Sequence, residues 1–433
     1  MRIKYSLITV LSLLPYYTAQ AQEWTYADCV EYARDNNISL KQSVLNESTS
    51  DLSYEESKAQ WEPSLDFSTS HGLTNSPWGD NNKNSYNSSY GFNAGWTVWN
   101  GGQREAGIKK NRILSEAARM NTSALFRTLE TDILNAYLNI LYSKEAISIY
   151  EEAAALSYAQ AERARQLMDA GKLSRVDYAQ LQSQYEQDKY SLVNAEGTYQ
   201  SRVMEMKRLL ELGITDSLKL KDIDWARTDL LAPPPSIEES YVMAAGVDSQ
   251  LKSLVLNSDA ADADIDIAQS AGYPSVSLKA GVGSGYYAPG NSFSEQMKRS
   301  FNENIGLTIS IPILDNKRTK VAVAKAKVQK LNSQLDIQSR ETQLAQDVES
   351  WYIQLKSAQA QYVAGEEQVK STSLSSELVN EQFNLGLVNI VELMTSHNNL
   401  LQARHSLLQT KYMALLSRKM IEFYRTAGVT LPQ

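Results

Sequence analysis

Residues 305–330 read IGLTISIPILDNKRTKVAVAKAKVQK and join a strand pattern to a helix pattern. Branched aliphatic side chains alternate with Gly, Thr, Ser and Pro over the first nine positions, which is the period of a strand with one apolar face. Pro312 ends the hydrogen-bonding ladder, Asp315 can cap a helix, and no further proline occurs until Pro432. The stretch therefore predicts one short strand that leads into one very long helix.

The same join occurs earlier in the chain. Residues 95–104 match residues 310–319 in order and role, with Trp99 aligned on Leu314 at an offset of 215. Two further landmarks agree with it: residues 60–65 match residues 271–276 at an offset of 211, and residues 170–172 match residues 385–387 at an offset of 215. Three landmarks at nearly constant offset predict an internal tandem duplication.

The first 21 residues have the form of a secretory signal peptide. An apolar run at 7–14 follows two basic residues, and Ala-Gln-Ala at 19–21 is a small-x-small cleavage site, so the mature chain is expected to begin near Gln22. Loss of the two positive charges takes the formal net charge from −8 to −10, which argues against a nucleic-acid partner. Cys29 is the one cysteine and lies away from the cleavage point, so neither a lipid anchor there nor an internal disulfide is expected.

Long segments without proline, rich in Ala, Glu, Lys and Gln, predict the helices. Each repeat is expected to hold a helix of about 36 residues, a long arm of roughly 100 Å and a shorter return arm. Asp35, Asn36 and Asn37 can disturb the first helix locally. The expected spans are 25–60, 102–168 and 174–212, and then 236–271, 315–383 and 389–427.

These spans define the expected domains. Residues 1–21 are the signal peptide, and 22–213 form a first repeat of helix, strand hairpin and long helical hairpin. Residues 214–235, with three consecutive prolines, form a non-helical waist, and 236–433 form the second repeat.

Four strands of about ten residues are predicted, which at a tilt near 45° span roughly 25 Å, the height of the apolar band of an outer-membrane barrel. A long flexible loop at 75–89 is expected within the first hairpin, and a Gly/Ser/Asn-containing loop that reaches Asn304 within the second. The apolar positions predict a lipid face that includes Phe92, Trp96, Leu278, Ile305, Leu307 and Ile309. The opposite positions predict a polar lumen with Ser64, Asp66, Ser68, Asn93, Thr97, Ser277 and Lys279.

A soluble sandwich is the alternative reading of four amphipathic strands. About 200 residues separate the two hairpins, and a single two-stranded hairpin is marginally stable alone. Four strands cannot close a membrane barrel, since the smallest have eight, so closure requires several chains. Trp61, Trp99 and Tyr273 fall at strand ends, where an interfacial aromatic girdle is expected.

No catalytic, cofactor or metal site is predicted. His397 and His405 lie eight positions apart on one helix, about 12 Å of rise and too far for one ion, so both are expected to be solvated. Four aspartates before the third strand are expected to form a hydrated face rather than a cation site: Asp259, Asp262, Asp264 and Asp266.

Taken in order, these features resemble the TolC-like outer membrane efflux family, also called outer membrane factors. The resemblance rests on residues 62–64 and 273–275 before the strands, on the joins at 99–102 and 312–315, and on the tips at Gly171 and Gly386. It implies an α+β membrane protein in the outer membrane, in which three protomers share a 12-stranded barrel continued into a periplasmic helical tunnel. It also implies a passive exit duct that meets an inner-membrane pump through a periplasmic adaptor.

The resemblance further points to the helical tips. Asp177 and Glu392 occupy the positions of a periplasmic gate acid, while Thr395 stands where a second acid is expected and Val388 replaces a basic gate residue. Both acids also fit capping-box spacing after Ser174 and Asn389. The sequence therefore allows two roles for them, an acidic ring in the channel or a cap at the start of a helix. Adaptor docking is expected at four tip residues: Gly171, Leu173, Gly386 and Leu387.

Two other classes of protein share some of these features. A periplasmic adaptor also contains a helical hairpin, but it normally has one hairpin flanked by soluble β domains and lacks duplicated strand pairs. A structural coiled coil of the envelope would conduct nothing. Cell fractionation and bilayer conductance separate the three possibilities.

Overall fold

The computed structural model describes most of the chain: residues 23–78, 84–288, 292–426 and 428–433. The predicted signal peptide at 1–21 lies outside these ranges, and so do residues 79–83 within the predicted loop at 75–89. No helix in the described ranges is long and apolar enough to cross a membrane.

Helices of very different lengths make up most of the described chain. They are α1 (Tyr26–Asn36), α2 (Ile38–Ala59), α3 (Gln103–Asp169), α4 (Arg175–Leu209), α5 (Ile237–Val247), α6 (Ser249–Ser270), α7 (Phe293–Arg299), α8 (Arg318–Asn384) and α9 (Ile390–Arg425). Helices α3 and α8 have 67 residues each, roughly 100 Å, and agree closely with the predicted long arms. Each packs along its return arm, α4 or α9.

The two helices predicted at 25–60 and 236–271 are each broken in two. Asn37 ends α1 and its side-chain oxygen accepts from the backbone N–H of Leu40 to cap α2. Asp248 acts in the same way between α5 and α6, where it accepts from the N–H of Leu251 at 2.6 Å. A short polar side chain thus stabilises a new helix start. The break at Asn37 falls within the three residues expected to disturb the first helix, whereas the uninterrupted helix predicted at 236–271 is wrong at Asp248.

The strands form one antiparallel sheet in the order β1-β2-β3-β4, with β1 (Ser64–Asn75), β2 (Asn84–Trp99), β3 (Ser275–Ala288) and β4 (Asn302–Ser310). Ser64 pairs with Gly95 in the first hairpin. Their counterparts at offsets of 211 and 215, Ser275 and Ser310, pair in the second. The two hairpins therefore have the same register, as duplication requires.

Three strand boundaries differ from the prediction. Strand β2 begins at Asn84, so part of the predicted flexible loop is strand, and the segment before β4 contains α7 instead of being loop throughout. Strand β4 spans 302–310, so it starts three residues earlier than expected and ends before Ile311 and Ile313. Pro312 has no N–H to donate, which accounts for the early end of the ladder.

The two faces of the sheet differ in chemistry, although Glu303 lies on the mainly apolar face, opposite Val282. Cross-strand partners place one set of side chains on the apolar face: Leu65, Phe67, Phe92, Ala94, Trp96, Val276, Leu278, Ala280, Val282, Ile305, Leu307 and Ile309. The polar face carries Ser64, Asp66, Ser68, Gly91, Asn93, Gly95, Ser277, Lys279, Gly281, Gly283, Asn302, Asn304, Gly306 and Thr308. This agrees with the predicted lipid and lumen faces, because partners directly across a ladder share a face.

Arg104 joins the first hairpin to α3. Its guanidinium donates to the backbone oxygens of Gln60, Thr97 and Val98 and stacks on the ring of Trp61 at 3.4 Å. The side chain is 2% exposed. One buried residue thus joins the end of α2, the end of β2 and the start of α3, at a position where the second repeat has Thr319.

The main core lies around the middle of α3. Tyr137 is fully buried there, and its hydroxyl donates to the carbonyl oxygens of Trp24 and Lys221. Residues 210–236 pass over this core with one short 3-10 turn at Trp225–Arg227 and leave Leu218, Leu220 and Leu230 buried. Since α2 leads into β1 and β2 into α3, the sheet caps one end of the helices and the α3/α4 and α8/α9 tips form the other.

Candidate functional site in the channel wall and helical tips

The two helical hairpins reverse direction by the same backbone device. Gly171 and Gly386 have φ values of +69° and +77°, in the left-handed region that suits glycine. The residue after each glycine donates its N–H back into the helix, from Lys172 to Leu167 at 2.8 Å and from Leu387 to Gln382 at 2.9 Å. Both tips are therefore Schellman turns, which satisfy the last carbonyl groups of α3 and α8.

The return arms begin with a side-chain cap. The Ser174 hydroxyl accepts from the N–H of Asp177 at 3.1 Å, and the Asn389 side-chain oxygen accepts from the N–H of Glu392 at 2.9 Å. Among the described residues, the carboxylates of Asp177 and Glu392 make no hydrogen bond or ion pair, so the reciprocal half of a capping box is not formed. The Thr395 hydroxyl donates to the carbonyl of Val391 and is exposed. Both acids are thus available at the ends of the molecule.

Apolar exposure differs between the two tips. Leu387 is 71% exposed, whereas Leu173 is half-buried against a cluster around Leu181, Phe383 and Ile390. The offset of 215 explains the difference, because it pairs Leu173 with the half-buried Val388 and pairs Leu387 with Lys172. The two leucines therefore occupy different environments.

A buried polar layer above this cluster joins the two hairpins. His397 and Asp188 are each 3% exposed, and the imidazole Nε2 lies 2.9 Å from the carboxylate. Gln184 hydrogen-bonds both Asp188 and Asn398, and Gln160 on α3 donates to Asn380 on α8 at 3.1 Å. The expectation of a solvated His397 is therefore wrong. Its place between Leu393 and Leu400, on the same buried helical stripe, is the signal that sequence reasoning missed.

His405 is also not solvated. It is half-buried and lies 3.0 Å from the hydroxyl of Tyr142 on α3. Burial lowers the pKa of this imidazole, so its neutral form is favoured.

The aspartates on α6 differ in their environments. Asp262 forms an ion pair with Lys330 on α8 at 2.5 Å, and Asp264 forms one with Lys110 on α3 at 2.7 Å. These pairs join α6 to its neighbours on both sides. Within the described residues no group of His, Cys, Asp and Glu side chains is arranged to hold a metal ion.

The polar face of the sheet has the side chains expected of a channel wall in contact with water. Asp66, Asn93, Gly281 and Asn304 lie in one row across the four strands, and the Asn93 and Asn304 side chains meet over the space that a Cβ at Gly281 would occupy. On the other face Phe67 and Phe92 pack ring against ring at 5.0 Å. The edges β1 and β4 are exposed, and among the residues that the structure describes no further strand lies beside them.

The model of the outer membrane efflux protein family matches residues 29–211 and 241–422, one segment in each repeat. Protein CyaE of Bordetella pertussis is 22% identical over 339 residues, 74% of this chain and 68% of its own. Outer membrane protein TolC of Vibrio cholerae is 22% identical over 293 residues, 66% of this chain and 64% of its own, so the chain spans about two thirds of the length of these relatives.

Solved structures agree in fold over nearly the whole length. A CusC structure matches with a TM-score of 0.80 at 18% identity and covers 94% of this chain and 92% of its own. VceC of Vibrio cholerae matches with a TM-score of 0.76 at 14% identity over 92% and 96% of the two chains. These likenesses confirm the predicted TolC-like fold, in which long helical hairpins join a four-stranded sheet. The chain is an outer-membrane channel protein, not an enzyme, and it belongs to the outer membrane efflux protein family.

Proposed function

We propose that three copies of this chain form the passive exit duct of a tripartite efflux or type I secretion system. The observation that carries the proposal is the polar face of the sheet, whose mostly small side chains, with the charged Asp66 and Lys279, line one surface opposite an apolar band. A barrel closed from such sheets encloses water and conducts polar solutes without an energy source of its own. An inner-membrane pump would supply the energy and a periplasmic adaptor the connection.

The division into repeats 22–213 and 236–433, joined by a waist at 214–235, supports this role. Each repeat contributes one strand hairpin to the barrel and one helical hairpin to the tunnel. The duct would then be continuous from the tips to the outside.

The tip acids fit a selective constriction. Three copies of Glu392 on a threefold axis would form an acidic ring, and such rings favour cations. The absence of any hydrogen bond or ion pair at this carboxylate among the described residues supports a ring more than a cap. Asp177 would contribute a second set of acids from the other hairpin, while Thr395 would line the same passage without charge.

The tip leucine fits a docking surface. Leu387 follows the Schellman glycine Gly386 and is 71% exposed, and an exposed apolar side chain at a turn favours a protein partner. Gly171 would set the shape of the other tip, where Leu173 is half-buried and would act through packing. The adaptor would thus contact the α8/α9 tip more directly than the α3/α4 tip.

Two substitutions test these roles in the purified trimer and in cells. Leu387→Asp is expected to abolish export and adaptor crosslinking with normal trimer yield, whereas Leu374→Asp, at a leucine 58% exposed along α8, leaves both intact. Glu392→Gln is expected to reduce cation preference in the reversal potential of single channels, and Glu377→Gln, an exposed acid on the same hairpin, leaves it unchanged. Loss of the trimer with Leu387→Asp would assign this leucine to packing in the tunnel. An unchanged reversal potential would reduce Glu392 to a helix-start residue.

A further inference from the structure

Helix α7 lies on the outside of the barrel at the end farthest from the helical domain. Ser284 and Tyr286 belong to the apolar face of β3, because they continue the alternation of Leu278, Ala280 and Val282. The Ser284 hydroxyl donates to the carbonyl of Met297, and the ring of Tyr286 lies 5.3 Å from that of Phe293. Both contacts place α7 against the same face that meets lipid lower in the barrel.

The helix is held rigidly in this place. The side chain of Gln296 accepts from the backbone N–H of Tyr287 at 2.9 Å and donates to its carbonyl at 2.8 Å, as a neighbouring strand would. With the Ser284 and Tyr286 contacts, three residues of α7 are held against β3: Phe293, Gln296 and Met297. A surface presented by α7 is therefore preorganised, which lowers the entropic cost of binding.

The height of α7 matches the outer boundary of the membrane. Eight residues separate Leu278 from Tyr286, about 26 Å along the strand and roughly 19 Å along the barrel axis at a tilt near 45°. The apolar band is about 25 Å tall, so α7 lies where acyl chains give way to headgroups. Tyr86 and Tyr90 are on the same face at this level, as a girdle of aromatic residues requires.

The exposed surface of α7 combines apolar and cationic side chains. Phe293 and Phe301 are 52% and 55% exposed, and Phe301 immediately precedes β4. Lys298 and Arg299 are exposed in the last turn and form no ion pair among the described residues. The acids nearest in sequence, Glu295 and Glu303, do not pair with them.

We propose that α7 and Phe301 bind the phosphorylated headgroup of a glycolipid in the outer leaflet. Phe293 and Phe301 enter the boundary of the acyl chains, while Lys298 and Arg299 bind phosphate oxygens. The guanidinium presents a planar fork to two oxygens, and the lysine adds a point charge. A lipid is favoured over a soluble partner because α7 packs on the face of β3 that continues into Val282, Ala280 and Leu278. Glu303, opposite Val282, is the acid that β4 places on this face.

The test measures lipid retention by the purified trimer in native mass spectrometry, with bisphosphorylated and dephosphorylated lipid A as probes. The unsubstituted trimer, called the parent below, is expected to bind bisphosphorylated lipid A at least 10-fold more tightly than dephosphorylated lipid A. The double variant Lys298→Gln/Arg299→Gln loses this difference, and each single variant loses part of it. Lys279→Gln removes a cation from the polar face of the same sheet and leaves the difference intact.

Several outcomes would overturn the proposal. Equal binding of the two lipids by the parent would show that phosphate is not recognised. An equal loss with Lys279→Gln would assign the preference to overall charge instead of to α7. Displacement of the lipid by millimolar inorganic phosphate would show that the site binds free anions. If the double variant forms no trimer, the single variants are measured in its place. Unchanged lipid preference in both single variants would also contradict the proposal.

Discussion

At the residue scale, the two strand-to-helix joins solve one backbone problem with different residues. Gly101 and Gly102 have φ values of +71° and +87°, and their counterparts at the offset of 215, Asn316 and Lys317, have +52° and +66°. The left-handed conformation costs roughly 1–2 kcal/mol for a residue with a Cβ, and glycine avoids this cost. The second repeat therefore carries backbone strain that the first repeat lacks.

We expect Lys317→Gly to stabilise the protein by about 1 kcal/mol, because the side chain is exposed and makes no ion pair in the described chain. Gly102→Ala is the mirror experiment and should destabilise by a similar amount, since no atom lies within 4 Å of the added Cβ. Thermal unfolding of the detergent-solubilised trimer measures both.

Gly101→Ala distinguishes the cost of the left-handed backbone conformation from the cost of a steric clash of the added Cβ. A Cβ there would lie 2.7 Å from the carbonyl oxygen of Ser270 and 2.8 Å from the Cβ of Tyr273, so this variant should lose more stability than Gly102→Ala. Equal losses at the two glycines would mean that the backbone conformation alone sets the cost.

A buried acid gives a second prediction at this scale. Glu130 on α3 is 8% exposed, one of its carboxylate oxygens has no hydrogen-bond partner, and burial raises its pKa against the opposing effects of Arg127 and Arg34. A raised folded-state pKa means that the ionised form destabilises the fold. Stability is therefore lost as pH rises from the ordinary value of 4.5 through the folded-state pKa.

Glu130→Gln should accordingly raise the melting temperature at pH 8 and have little effect below pH 4. Glu116→Gln, at an exposed acid on the same helix, should change neither value. A gain from Glu130→Gln that is the same at both pH values would point to improved packing instead of a removed charge.

At the element scale, the sequence predicted what repeats or alternates without interruption. The 67-residue helices α3 and α8 and the faces of all four strands follow from the absence of proline and from period-two alternation. Three successive Asp and Asn residues at 35–37 marked the break in the first helix, whereas the break at Asp248 was harder to predict, because a single Asp can cap a helix or lie within one.

Tertiary contacts decided the remaining differences. Helix α7 is stabilised by contacts with β3, through Ser284, Tyr286 and Tyr287, that no local pattern encodes. The burial of His397 depends on Asp188, 209 positions away in sequence. At the tips, glycine spacing predicted both turns, but the exposure of Leu387 and the burial of Leu173 required the packing of the other hairpin.

The sheet faces give a prediction for this scale. Leu278→Lys places a charge on the apolar face and should cost about 2–4 kcal/mol near the bilayer midplane, whereas Ile309→Lys lies nearer the helical domain and the inner boundary and should cost less. Ser277→Lys and Ser310→Lys are one residue away on the polar face and should cost little. Unfolding of the trimer in lipid vesicles measures the difference, and equal costs on both faces would refute the barrel assignment.

At the scale of the whole molecule, the contact between the two repeats predicts the contact between neighbouring chains. Within one chain β2 pairs with β3, and α3 packs on α6. The duplication makes β4 and α8 the counterparts of β2 and α3, and makes β1 and α2 the counterparts of β3 and α6. The unpaired β4/α8 edge of one chain therefore matches the β1/α2 edge of the next, and three such contacts close a ring.

The helical edges carry matching apolar stripes. On α2 and on α8, exposed apolar side chains recur every seven residues, the spacing of a helix-packing seam, and they are 49% to 68% exposed in the single chain: Ile38, Leu45, Leu52, Val321, Val328 and Leu335. Apolar residues at regular spacing on both free edges indicate that each stripe is covered in the assembly.

The offsets also fix the register of the seam. Ala94 on β2 pairs with Ala280 on β3 inside the chain. The β4 counterpart of Ala94, 215 positions later, is Ile309, and the β1 counterpart of Ala280, 211 positions earlier, is Thr69. Ile309 of one protomer is therefore expected to pair with Thr69 of the next. Cysteines at these two positions should bring their Cα atoms to about 5.5 Å, within reach of a disulfide. We expect Thr69→Cys/Ile309→Cys to form covalent trimers on oxidation, visible on non-reducing gels.

The matched control shifts one cysteine by four residues along β1, to Leu65, on the same face of the sheet. This moves the Cα by about 13 Å, beyond the range of a disulfide without backbone movement. Oxidation of Leu65→Cys/Ile309→Cys should therefore leave monomers. Crosslinking of the shifted pair with none at Thr69 would mean that the seam between chains has a different register from the seam between repeats, although both arise from one duplicated hairpin.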